Sequence, residues 1–266
     1  MGASNSNIKI TILGSGTSTG VPMIGCKCKI CLSSDERNNR LRSSILITID
    51  GGNILIDTST DLRYQSLKYN VDSLDAVLFT HHHADHVHGI DELRSFNFIQ
   101  KKEIDCYGNS KTLGRIKEMF SYIFDGTKSS GGLPRLNMKE VDGPFNLKGE
   151  TFTPIEVMHG NAKILGYRFS KAAYITDCSG IPEESIRKLE GLDLLILGAL
   201  RYAPHTKHFS ISEALETVER LKPRQTFFTH MGHEIDYTET SAELPEGVDL
   251  ACDGMVIELR ESELVR

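Results

Sequence analysis

Four apolar, β-rich runs, far apart along the chain, each stop at a side chain able to bind a metal. LDAVLFT runs into His81, FTPIEVM into His159, AAYIT into Asp177, and QTFF into Thr229-His230. Val, Ile, Phe and Tyr favour strands, so the pattern sets polar chemistry at strand ends, on loops held by a rigid sheet. Such a chain has to bring distant strand ends to one rim. Helical signals alternate with these runs: IDELRSFNFI, TLGRIKEMFSYIF, IPEESIRKLEG and ISEALETVERL repeat their apolar residues at helical spacing. Pro182 before Glu183-Glu184, and Ser210 or Ser212 ahead of Glu213, are helix starts. At the beginning, IKITILGSGTSTG reads as a strand entering a Gly/Ser turn, and SSILITID with GNILIDT as a hairpin around Asp50-Gly51-Gly52. No internal repeat and no linker stand out, so residues 1–266 are expected to form a single α/β domain. GTKSSGGLPRLN, residues 126–137, is loop-like and is read as a connection rather than a mobile flap.

All ten histidines fall into four groups: 81–88, 159, 205/208 and 230/233. THHHADHVHG alone, residues 80–89, holds five of them. In an extended segment alternate residues share a face, so His81 and His83 can grip one ion together. Asp85 and His86 follow, where the chain turns into a helix, and face a second. Asp177 suits a bridge, because one carboxylate offers an oxygen to each ion; His159 completes the first set and His230 the second. Mixed imidazole and carboxylate ligation suits zinc, manganese or iron better than calcium. His82 and His88 fall outside this pattern and are expected to support the ligands or face solvent.

Gly25-Cys26-Lys27-Cys28-Lys29-Ile30-Cys31 places three thiols within six residues, enough for three corners of a tetrahedral zinc whose fourth ligand comes from elsewhere. With no secretory apolar region at the start, metal thiolates are expected rather than disulfides, and the expected compartment is the cytoplasm. Cys106, Cys178 and Cys252 are scattered and are expected as buried apolar fillers. Net charge is −6, without a Lys/Arg-dense run, which argues against nucleic acid and for a small substrate. No stretch reaches the roughly 18 apolar residues of a membrane span. Met1-Gly2 with Ser6 fits the loose myristoylation pattern, which a short polar terminus matches by chance, so no membrane partner is expected.

His81-x-His83-x-Asp85-His86, then His159, Asp177 and His230 in that order, resembles the metallo-β-lactamase superfamily over nearly the whole chain. The resemblance implies a four-layer αββα sandwich with a binuclear site at one edge of the sheets, holding two divalent ions, Mn2+ or Zn2+. With GTSTGVP ahead of the Cys triplet and RSSILI after it, the chain resembles the phosphoribosyl cyclic phosphodiesterase branch, the enzymes of phosphonate breakdown. That branch implies His233, in Thr229-His230-Met231-Gly232-His233, as the fourth ligand of one structural Zn2+ with Cys26, Cys28 and Cys31. It also carries a histidine at the position of His208, in PHTKHFS, that acts beside the metals on the leaving group. His208, just ahead of a helix start, is placed to meet an anionic phosphate, and with Asp85 it makes up the candidate catalytic pair. Asp57 matches a carboxylate that supports the metal histidines. His205 either binds substrate or caps its loop, and Arg201 and Arg63 either grip phosphate or form structural salt bridges.

The implied activity is that of a binuclear metal-dependent phosphodiesterase, in which activated hydroxide opens a small, cyclic phosphodiester to a monoester. Three rivals stand beside it. An RNA 3′-processing nuclease of the tRNase Z kind carries a long Gly- and Lys-rich arm, and nothing comparable occurs here. Acyl hydrolysis leaves the Cys triplet and PHTKHFS without a purpose. A non-catalytic metal-binding relative lacks the full ligand set that this chain keeps. The oligomeric state, a homodimer included, is left open.

Overall fold

Asp50 and Gly51 both adopt positive φ, at 48° and 79°, the backbone that a tight hairpin turn requires. They join β2 (Ser44–Ile49) to β3 (Gly52–Ile56), with β1 (Ile8–Gly14) paired antiparallel on the other side of β2. This seed grows by crossovers in a computed structural model that describes residues 7–126 and 132–259 and the backbone of 264–265. Helix α1 (Leu62–Lys68) leads to β4 (Ala76–Leu78); α2 (Ala84–Val87) and α3 (Leu93–Gln100) lead to β5 (Ile104–Gly108). Next, α4 (Ser110–Met119) and α5 (Ser121–Phe124) precede β6 (Leu136–Glu140), and β3 through β6 run parallel. The second sheet starts as a meander, β7 (Phe145–Leu147), β8 (Glu150–His159), β9 (Ala162–Phe169) and β10 (Ala172–Ile175). It continues in parallel through α6 (Glu183–Lys188), β11 (Leu194–Gly198), α7 (Ile211–Leu221), β12 (Gln225–Thr229), α8 (Tyr237–Glu243) and β13 (Val248–Leu250). The chain then returns to the first sheet, where β14 (Val256–Leu259) pairs with β1 and with β15 (Leu264–Val265).

Strand periodicity sorts the side chains into three apolar layers. Ile10, Ile12, Ile47, Ile54 and Ile56 of the first sheet meet Phe152, Tyr167, Phe169 and Phe227 of the second. Between them, Leu55 points the other way, into a layer with Val77 and Phe79 that is covered by Leu62, Leu93, Phe96 and Ile116 of the helices. Ile175, Leu195, Leu197 and Phe228 lie on the far side of the second sheet, under Ile186, Ile211 and Ala214. Both sheets are thus covered on both faces, which is why SILITI and LLILG bury nearly every residue instead of alternate ones. The order of layers is helix, sheet, sheet, helix, an αββα sandwich.

Three details depart from the sequence reading. The 112–124 helix breaks at Phe120, which leaves helical geometry at φ −114°. Leu136 and Asn137 belong to β6, paired with Ile104 and Asp105, so the connection after α5 is shorter than 126–137. Helices α1 and α8 carried no clear apolar period and were not anticipated. Residues 127–131 of that connection, and the Met1-Gly2/Ser6 pattern, lie outside the described residues. No helix among the described residues is long and apolar enough to cross a membrane.

Directions follow from the pairing: β1, β3 and β4 point the same way, as do β8, β10, β11 and β12. The sheets touch where these strands end, through Leu165 N–H donated to the Thr80 carbonyl at 3.1 Å and a bridge between Gly16 and Met231. Gly89 closes the histidine-rich loop against this frame: its N–H donates to the Thr58 carbonyl at 3.0 Å, and a Cβ there would lie 2.1 Å from the Ser59 carbonyl oxygen. Gly114, inside α4, faces open space. Gly89→Ala is therefore expected to cost about 2–3 kcal/mol and to lower the melting temperature by roughly 5–10 °C. Gly114→Ala should raise stability by up to about 1 kcal/mol. Thermal melts of both variants check the contrast, and equal melting temperatures would contradict the close packing assigned to Gly89.

Candidate metal centre

β3 ends one residue before Asp57 and β4 shortly before His81, and the two are tied together. Thr80 donates its N–H to Asp57 Oδ1 at 2.8 Å and its hydroxyl to Asp57 Oδ2 at 2.7 Å. Asp57 Oδ2 also accepts from His86 Nδ1 at 2.7 Å. That bond fixes the His86 tautomer, so Nε2 is left to face outward as a base. His159, closing β8, is held the same way: its Nδ1 donates to the backbone carbonyls of Asp177 at 2.8 Å and Lys207 at 3.0 Å.

Two main donor sets result, and His159 and Asp177 also group with His208. His81, His83 and His159 form one, with ring centroids 4.5 Å (81–83), 5.0 Å (83–159) and 5.4 Å (81–159) apart. Asp85, His86, Asp177 and His230 form the other, with Asp177 Oδ1 3.0 Å from His86 Nε2 and 3.1 Å from His230 Nε2. Asp85 Oδ2 lies 3.3 Å and 3.6 Å from the same two nitrogens. The other oxygen of Asp177 turns away from this set, 3.9 Å from His81 Nε2 and 3.7 Å from His208 Nδ1. Each Asp177 oxygen thus faces a different cluster of imidazoles.

The residues fit divalent cations. His81 Nε2 is buried without a hydrogen-bond partner, and His86 Nε2 and His230 Nε2, although 3.0 and 3.1 Å from Asp177 Oδ1, make no aligned hydrogen bond, a costly state for polar atoms unless something binds them. Charge says the same. Burial disfavours a proton on His86, yet Asp177, Asp85 and Asp57 outweigh it and hold its pKa well above the usual value. Burial likewise opposes a charged Asp177, and His230 and His86 overcome it to keep that carboxyl well below its usual range. His81, where burial wins, is pushed down and stays neutral, as a ligand must be. Three carboxylates gathered around these rings call for more positive charge at their centre than His86 alone supplies.

The backbone at the rim is unusual. Asp57, Asp177 and His230, each just past the end of its strand, have φ of 65°, 52° and 58°. Positive φ is uncommon outside glycine, is commonest for Asp, Asn and His, and clusters at functional sites. The supporting threonines escaped sequence reasoning. Thr80, Thr176 and Thr229 are fully buried, each directly before a rim residue, and Thr176 donates its hydroxyl to Asp177 Oδ1 at 2.8 Å. The repeated pairs Thr-His, Thr-Asp and Thr-His were the signal available for them.

His208 lies across the mouth of the centre. Its ring stacks on His230 at 5.1 Å and meets His159 edge-on at 4.8 Å, with the side chain 15% exposed. In the helix start behind it, the N–H groups of Ser210, Ile211 and Glu213 are already bonded within the protein. Ser210 and Glu213 close a capping box on each other, and Ile211 N–H donates to the Arg201 carbonyl. His205 accepts from Lys207 N–H at 3.2 Å, capping its own loop, with its ring 5.0 Å from that of His208. Arg201 fastens the same loop, donating to the carbonyls of Ala203 and Pro204, and forms no salt bridge among the described residues. Arg63 is exposed on α1. His82 is half-buried near Lys111 and Arg115, and His88 is exposed, edge-on to Phe120.

A second centre lies beyond the first. Cys26, Cys28 and Cys31 Sγ stand 3.3, 3.5 and 3.6 Å from His233 Nδ1. A tetrahedral zinc with Zn–S and Zn–N bonds of ordinary length requires S···N edges of about 3.6 Å, so the cage has the right size. Cys31 N–H donates to Cys28 Sγ, and with the neighbouring thiols and His233 it lowers the Cys28 pKa to about 6. Burial pushes Cys31 up to about 11. Cys106 and Cys178 are buried as expected, whereas Cys252 is only half-buried beside Asp253 at the molecular surface.

Residues 52–231 match the Beta-lactamase superfamily domain. A solved diphosphatase of the PhnP family superposes with a TM-score of 0.89 at 41% identity, over 95% of this chain and 98% of that one. Zn2+-bound PqqB from Methylobacterium extorquens superposes at 0.79 with 19% identity, over 94% of this chain and 100% of that one, a likeness of fold. A protein of Porphyromonas gingivalis named octanoyltransferase is 38% identical over 253 residues, 93% of this chain, which spans only 51% of that protein's length. The domain match and the near-complete coverage of a 41% identical relative agree with the donor sets at the rim: the chain belongs to the metallo-β-lactamase superfamily, in its PhnP family.

Proposed function

We propose that this superfamily hydrolase cleaves a phosphodiester bond in a small, cyclic substrate, using two divalent cations, Mn2+ or Zn2+, at the sheet rim. The observation that carries the reading is Asp177, whose Oδ1 lies among the nitrogens of His86 and His230 while Oδ2 faces His81 and His208. A cation pair bound there supplies Lewis acidity towards phosphoryl oxygens and water acidic enough to yield hydroxide at neutral pH. His81, His83 and His159 are assigned to one cation, Asp85, His86 and His230 to the other, and Asp177 to both. Asp57 keeps the His86 proton on Nδ1 and thereby keeps Nε2 available. Asp85 serves the reaction as a ligand, held anionic by His86 and His230 in spite of its burial. His208 gives a proton to the departing alkoxide. Burial beside His230 pushes its pKa down to about 3, so it holds a proton only against an added negative charge, which the bound phosphate provides. The Cys26, Cys28, Cys31 and His233 cage is assigned one structural Zn2+. The cytoplasm is the compartment assigned, in keeping with cysteines that pair with no other cysteine, and a net charge of −6 favours a small phosphodiester over nucleic acid.

Diphosphate hydrolysis is the second reading, favoured by the PhnP-family relative named a diphosphatase. A panel of bis(p-nitrophenyl) phosphate, a five-membered cyclic phosphodiester and a dinucleoside diphosphate, assayed with Mn2+ and with Zn2+, separates the two. The cyclic substrate is expected to show at least about tenfold higher kcat/KM than the diphosphate, a gap of about 1.4 kcal/mol in transition-state binding. The reverse order selects the diphosphate, and turnover of none rejects both. His208→Ala should lower kcat by about 10²- to 10⁴-fold while metal content, measured by inductively coupled plasma mass spectrometry, stays at the wild-type level. Metal loss in that variant would make His208 a ligand instead of an acid. Asp177→Ala should lose at least one ion per chain together with activity, and full metal retention would refute its bridging role.

A further inference from the structure

Arg40 has the largest side chain among those fully buried in the described residues, with 1% of its surface exposed. Its Nη2 donates to Asn38 Oδ1 at 3.1 Å and its Nη1 to the Gly232 carbonyl at 3.4 Å, while Nε has no partner. Burial lowers its pKa to about 10 against the through-space pull of Asp253, Asp236 and Asp35. A buried guanidinium without a carboxylate bonded to it is a poor stabiliser, and apolar residues of similar volume commonly replace such charges without loss. Its position suggests another purpose. Gly232 lies between His230, of the rim, and His233, of the cysteine cage. The same turn is held by Met231 N–H on the Ser15 carbonyl at 2.9 Å, Thr17 N–H on the Met231 carbonyl at 3.0 Å, and Gly232 N–H on the Leu200 carbonyl at 2.8 Å. Asn38, the other partner of Arg40, accepts from Tyr237 N–H at 2.9 Å and donates to Asp236 Oδ2 at 3.2 Å, so it fastens the chain just after His233.

We infer that Arg40 is a positioning residue: by holding the Gly232 carbonyl and Asn38 together, its guanidinium sets the 230–233 turn so that His230 faces the cation pair while His233 faces the cysteine cage. The inference rests on the metal-centre reading above and adds to it a dependence of the rim on a side chain that touches no ligand atom. A purely structural role predicts equal effects on both centres. Positioning predicts a selective effect on the rim, because three cysteines still anchor the cage when the turn shifts, whereas His230 is carried by this turn and its Nε2 faces Asp177 and Asp85 without an aligned hydrogen bond to fix it.

Full-length Arg40→Met, Arg40→Lys and wild-type protein, loaded with Co2+, decide between these. In Arg40→Met the thiolate-to-Co2+ charge-transfer band of the cage is expected to persist. Rim Co2+ should bind at least tenfold more weakly in a chelator competition, with altered d–d bands, and kcat should fall at least tenfold with KM unchanged. Arg40→Lys, whose single ammonium cannot span both partners, should recover only part of the rim affinity. If Arg40→Met does not fold, Arg40→Lys alone decides: weakened rim binding beside an intact cage supports the inference, and wild-type behaviour overturns it. Unchanged rim affinity and spectrum in Arg40→Met, equal loss at both centres, or failure of both variants to fold also overturns it. A wild type that binds no rim Co2+ refutes the metal centre itself, a separate outcome.

Discussion

Burying carboxylates at the edge of two sheets is the constraint from which the rest of this structure follows. Asp57, Asp85 and Asp177 sit within one small region, largely withdrawn from water. Such groups are destabilising unless positive charge meets them. His86 partly answers that charge, gripped by Asp57 on one side and facing Asp177 and Asp85 on the other. Orphaned nitrogens of His81 and His230 show that imidazoles alone do not complete the arrangement. Cations do, which makes the fold and the chemistry aspects of one electrostatic problem. The sandwich supplies what the problem needs: strands buried on both faces, rigid enough to hold Asp57, Asp177 and His230 in left-handed backbone at their ends.

The second centre is part of the same construction. His230 and His233 lie on one turn, and the N-terminal loop that carries Cys26, Cys28 and Cys31 also runs through Ser15 and Thr17, which hold Met231. An ion in the cysteine cage therefore ties the first loop of the chain to the last rim ligand, across more than 200 residues of sequence.

Much of this was legible in the sequence because chemistry and periodicity coincided. His81, His159, Asp177 and His230 each ended an apolar run, and the structure brings all four to one edge with His83, Asp85 and His86. Helix α7 was legible to within two residues at its start, left between Ser210 and Ser212 until the reciprocal cap of Ser210 and Glu213 decides it. The illegible parts depended on tertiary context. Helices α1 and α8 are short, and β6 is an edge strand with few buried residues, so none carried a strong period. Arg201 stood between a phosphate grip and a structural salt bridge because a sequence shows charge and not direction; its guanidinium turns back onto its own loop. At the helix start near His208, sequence shows the position of the amides but not that those of Ser210, Ile211 and Glu213 are bonded by its own cap and by Arg201.

Anomalous scattering from crystals grown in excess Mn2+ and Zn2+ tests the central claim most directly. Two peaks flanking the Asp177 carboxylate are predicted, roughly 3.5–4 Å apart, with a third, zinc-specific peak inside the Cys26, Cys28, Cys31 and His233 cage. A single peak in the cage alone, with the rim empty under saturating metal, would contradict the account.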